Sequence, residues 1–212
     1  MERHMKIGRL LLRLTIGGLF IGHGTQKLFG WFGGPGLEQT GEAFEGLGIR
    51  PGRRNAIAAG VSEAGGGALL AAGLLTPLAA TALTGTMLTA IQRVHAKNGP
   101  WVTQGGYEYN LVLIVAVLTV AELGPGGLSL DAALGQERSG PAWALAALAA
   151  AVAGAAGVDA AAKRYEPTPA DASADTPAET PAEAPVETAS AAPAGDFAAD
   201  SPGEHSSPAP AQ

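Results

Sequence analysis

Three ionisable side chains sit in one apolar run. The stretch Leu10 to Phe32 begins as a helix apolar enough to enter a bilayer, yet it carries Arg13, His23 and Lys27. Ionisable groups in hydrocarbon are costly and tend to mark functional sites. Arg13 and Lys27 lie near the ends of the run, where a long stem can carry the charge to the interface. His23 is too short to do so. A second apolar run, Ala56 to Leu75, holds one charge, Glu63, among glycines and alanines. An unpaired carboxylate in lipid takes up a proton or is not retained, so Glu63 needs a partner. His23 is the expected one, with Lys27 nearby. Such a group can relay protons, bind an anion or a quinone head, or merely tie two helices together.

Helices must bring these groups together. Ile7 to about Phe29 reads as the first transmembrane helix, followed by helices over about 56–75, 78–95 and 109–123. Thr76-Pro77 makes a tight turn, so successive helices run antiparallel. At about 1.5 Å per residue, His23 and Glu63 then fall at a similar depth. The end of the third helix (Gln92, Arg93, His95) and the start of the fourth (Glu108, Tyr109, Asn110) reach the same face. The candidate cluster is His23, Lys27, Glu63, Arg93, His95, Tyr109 and Asn110. Arg13 lies at the opposite end and is expected to snorkel outside it. Gly18 and Gly22 form a G-x-x-x-G pair that could admit a neighbouring helix. Leu37 to Leu47 suggests a short amphipathic helix at the interface, with Trp31 and Phe32 in the aromatic belt. Pro141 to Ala162, almost pure alanine, is long enough for a fifth span.

The composition divides the chain in two. Residues 1–165 hold all 13 Lys and Arg and 10 of the 19 acids, a net +3; residues 166–212 hold nine acids and no Lys or Arg, a net −9. That Pro/Ala-rich tail has one aromatic, Phe197, and too little apolar bulk to offset chain entropy, so it is expected to be disordered. The chain has no cysteine, which excludes thiolate metal sites and a Cys nucleophile. Any redox role must therefore use a partner or cofactor. His23, Glu63 and His95 have no diagnostic metal spacing, and no metal is expected. No phosphate loop, nucleophile elbow or dinucleotide fingerprint is present.

The ordered strings RLTIGGLFIGHGTQKLFGWFGG, VSEAGGGALLAAGLLTPLAA, MLTAIQRVHAKNG and GGYEYNLVLIVAVL resemble the DoxX family of small bacterial membrane proteins over about residues 7–131. The resemblance implies an all-α, polytopic four-helix transmembrane bundle, with the Ala-rich helix and the acidic tail as additions. It implies recurring polar positions at Arg13, His23, Gly24, Lys27, Glu63, His95, Tyr109 and Asn110. It further implies association with quinol oxidase or thiosulfate:quinone oxidoreductase chemistry, or with an oxidative-stress complex containing superoxide dismutase and a sulfurtransferase.

The leading expectation is a small integral subunit of the bacterial plasma membrane that supports quinone-linked redox or oxidative-stress chemistry, itself catalytic or only accessory. Quinone is the one cofactor suggested. The expected partners are the bilayer, membrane or peripheral redox proteins and further copies of the chain, and not nucleic acid. The rival functions are a small-solute transporter or channel and a non-catalytic scaffold or assembly factor. Lys and Arg nearly balance across the two faces, so orientation follows the first span and places the N-terminus in the cytoplasm. Reporter fusions at residue 138 and in the tail read that orientation.

Overall fold

The computed structural model describes residues 7–165, so the acidic tail lies outside the described residues. Within them the chain is all-helical. Seven α-helices follow one another: α1 (Ile7–Phe29), α2 (Gly36–Gly46), α3 (Gly52–Ala72), α4 (Thr76–Ala90), α5 (Glu108–Leu123), α6 (Leu130–Ala133) and α7 (Pro141–Lys163). A π-turn, Ile91–His95, extends α4. The second long helix begins four residues before the hydropathy pattern indicates, taking in Arg53 and Arg54. It stops at Gly73, whose positive φ of 64° lets the Leu74 N–H return to the Leu69 carbonyl at 2.9 Å.

The tightest packing is between α1 and α3, and glycine makes it possible. A Cβ on Gly17 would lie 2.5 Å from the Gly67 carbonyl oxygen, and one on Gly67 would lie 2.6 Å from that of Gly17. Gly24 meets Gly60 and Ala64 in the same way, so the two backbones touch along a seam with sevenfold spacing. The G-x-x-x-G pair Gly18 and Gly22, expected to serve this purpose, has nothing within 4 Å. The rotation of α1 turns it outward. Gly24→Ala is therefore expected to destabilise the protein by about 1–2 kcal/mol through overpacking, and Gly18→Ala to be neutral. Detergent unfolding of both variants checks this; equal midpoints would refute it.

Leu70, Ala79, Ala80, Leu83, Val117, Val120 and Ala121 form the dry centre with Ile16 and Phe20. α7 packs on α4 and α5 through Ala147, Ala151 and Ala155, a face flat enough to bring Gly85 of α4 close to Ala151. It makes no substantial contact with α1, α2 or α3 among the described residues. The exterior is apolar: Leu11, Val61, Val112, Val115 and Leu145 are each more than half exposed, whereas Arg13, Glu63, Thr76 and Asp131 are at most 3% exposed. Polar groups inside and bare aliphatics outside invert the usual soluble arrangement, as a lipid environment favours.

By length and composition, α7 is the one described helix able to cross a membrane unaided, with a mean hydropathy of 1.8. Only 17% of that stretch is buried, which is too little for the core helix of a soluble domain. α1 carries Arg9, Arg13 and Lys27, and α3 is diluted by glycine. α4 and α5 have 15 and 16 residues, about 23 Å of helix against a hydrocarbon core of about 30 Å.

Arg13 does not snorkel. It is 1% exposed and donates to the carbonyls of Ala71 (3.0 Å), Leu128 (3.0 Å) and Pro125. The loop after α5 folds back over it, and its fork serves carbonyls that α3 and that loop leave unpaired. Just beyond, Ser129 caps α6 by accepting from the Ala132 N–H, and Asp131 accepts from the N–H groups of Leu75 (2.9 Å) and Thr76 (3.1 Å) and from the Thr76 hydroxyl (2.9 Å). Asp131 thus caps α4 and holds Leu75 at φ 48°, a conformation rare outside glycine. Spacing does not reveal the roles of Arg13 and Asp131, because each binds residues more than 50 positions away.

Candidate functional site

A cavity of about 610 Å3 opens near the other end of the bundle. α1 and α3 form one wall and α7 the opposite wall, with α4 and the start of α5 between them and Phe44, Leu47 and Ile49 from α2 and its following loop at the rim. All seven residues of the candidate cluster, His23, Lys27, Glu63, Arg93, His95, Tyr109 and Asn110, line it. The rest of the lining is mainly apolar, including Leu19, Phe20, Ala150, Gly154 and Val158.

Glu63 is the buried anchor, 3% exposed, but its partner is not the expected His23. Lys27 Nζ lies 2.6 Å from Glu63 Oε2 and is 24% exposed. Position 27 is one helical turn beyond 23 on the same face of α1, and close approach at Gly24 brings α3 within reach of the lysine stem. His23 remains exposed on the cavity side. A carboxylate removed from water and held by one ammonium is strongly dependent on that partner.

The π-turn lies at the site, carrying both Arg93 and His95; such wide turns frequently occur at functional positions. Arg93 donates through Nε and Nη2 to one carboxylate oxygen of Asp159 on α7, with Nε at 3.0 Å. His95 Nδ1 lies 2.8 Å from the Gly105 carbonyl. That contact assigns the proton to Nδ1 and leaves Nε2 as an acceptor. Asn110 is buried, and its amide donates to Met87 Sδ at 3.3 Å. Tyr109, 46% exposed, lies at the rim where α5 starts.

Asp159 is the site residue the sequence reading missed. It is the sole acid in a 23-residue alanine-rich helix, the same signal that singled out Glu63. The described residues contain no group of three or more His, Cys, Asp or Glu able to hold a metal ion.

An all-helical bundle, apolar outside and enclosing a polar-ended cavity, defines the class as membrane-type. Residues 8–96 match the DoxX family, and that segment of the chain is similar to a DoxX domain. No curated protein and no solved structure matches the chain. The matched segment ends just after His95, so Tyr109, Asn110 and Asp159 come from outside it.

Proposed function

We propose that this chain is a small multi-pass subunit of the bacterial plasma membrane, whose cavity takes the head of a quinone-type amphiphile in support of redox or oxidative-stress chemistry. The observation that carries this reading is the cavity itself: paired charges and amide and imidazole groups at one end, aliphatic walls along the rest. Its volume lies within the range of about 300–1,000 Å3 typical of small-molecule sites.

The donor set fits carbonyl oxygens: Lys27, Asn110 and His23 offer N–H groups, while His95 Nε2 can accept. A bound quinone would supply the electron chemistry that a chain without cysteine lacks. This chain's residues would orient the head, and the Lys27–Glu63 pair would hold or release a proton beside it. With α7 running in the same sense as α1, an N-terminus in the cytoplasm puts the cluster end of the bundle and the end of α7 on the outer face. Against a solute channel stands the opposite end of the bundle, where Arg13 is buried among carbonyls of α3 and the loop after α5.

The test is purification in mild detergent, followed by partner identification and titration with a short-chain quinone analogue. Saturable binding that is weakened at least fivefold by Glu63→Gln, or a copurifying redox protein, is expected. A protein that binds no analogue and brings down no redox partner would lose this assignment to the scaffold reading.

A further inference from the structure

Resting on that binding site, we propose that Asp159 sets which amphiphiles the cavity accepts: by neutralising Arg93 it selects for an uncharged head and against an anionic one. At the polar end of the cavity, each cation already has its own carboxylate. Lys27 is paired with Glu63 and Arg93 with Asp159, so with neutral imidazoles these four groups sum to zero charge. An anionic head would have to displace a carboxylate, whereas a neutral head need only accept hydrogen bonds.

Three observations set Asp159 apart from an ordinary helix tie. Its pair with Arg93 is partly solvated, at 24% and 34% side-chain exposure, and such pairs fasten structures weakly. α7 is already docked through Ala147, Ala151 and Ala155 without it. It also lies one turn from the C-terminal end of α7 at Lys163, where the helix dipole disfavours an acid. A group that fastens little and opposes the dipole has its main consequence in the charge it cancels. Arg93 and Asp159 come from opposite sides of the family boundary at residue 96, so in this chain the charge state of the family's segment is set by an added helix.

The full chain in phosphatidylcholine nanodiscs can be tested with two probes of equal tail length, dodecanol and the permanently charged dodecanesulfonate, with binding measured above empty discs. Wild type should favour dodecanol. Asp159→Asn should raise the sulfonate-to-alcohol binding ratio by about threefold to fivefold, the scale of one unpaired, partly shielded charge. Asp159→Glu should keep the wild-type ratio, and the exchange R93D/D159R should restore it. An unchanged ratio in Asp159→Asn overturns the inference while leaving the cavity as a binding site. If wild type binds neither probe, the site and the inference fall together. Should Asp159→Asn not fold, Arg93→Gln takes its place: it must lower the ratio, and no change there counts against the proposal.

Discussion

Arg13→Ala is expected to lower stability by about 3–5 kcal/mol, the largest effect of any single side chain here. The change removes the donors for three carbonyls, those of Ala71, Pro125 and Leu128, and each buried acceptor left unpaired costs about 1–3 kcal/mol. In a lipid-facing bundle water cannot readily replace the lost donors. The loss should also loosen the loop leading into Asp131 and so the start of α4, which Asp131 caps. Arg13→Lys keeps the charge but not the planar fork and should recover only part of the stability. The measurement is the midpoint of unfolding in a mixed-detergent titration. A midpoint for Arg13→Ala equal to wild type would show that Arg13 is not needed at this junction.

Lys27→Ala should cost about 2–3 kcal/mol, and Glu63→Gln about 1 kcal/mol. Breaking a fully buried pair from one side costs about 3–5 kcal/mol because a charge is stranded. Here Lys27 is a quarter exposed, so water in the cavity partly screens the pair and the lower figure applies. The asymmetry follows from burial: Glu63 at 3% exposure cannot reach water when Lys27 is removed, whereas Lys27 can extend its ammonium into the cavity when Glu63 is neutralised. The double variant Lys27→Ala, Glu63→Gln should cost about 1–2 kcal/mol, less than the sum of the two single variants, giving a coupling energy of about 2 kcal/mol in a double-mutant cycle. Equal costs for the two single variants, or simple additivity, would mean that the pair is not the anchor described above.

Much of this protein is legible in its hydropathy. Runs of apolar residues interrupted by turn residues locate the long helices, and a lone acid in such a run marks Glu63, because burial makes an isolated charge conspicuous. The gathering of seven polar residues at one end of the bundle follows from counting depth along antiparallel helices, since the rise per residue is fixed. What the sequence leaves open is the rotation of each helix about its axis and the partner each side chain finds. Gly17 or Gly18, Lys27 or His23: each choice depends on which face of α1 turns to α3, and that is settled by the best overall packing rather than by any local preference. Arg13 looks like an interfacial arginine until a loop more than 110 residues away folds over it. Asp159 looks like an isolated polar residue until α7 docks beside Arg93. Local propensity and hydrophobicity therefore determine the helices and their charged positions, while long-range contacts, whose energies depend on burial and exact distance, decide which charges become a site.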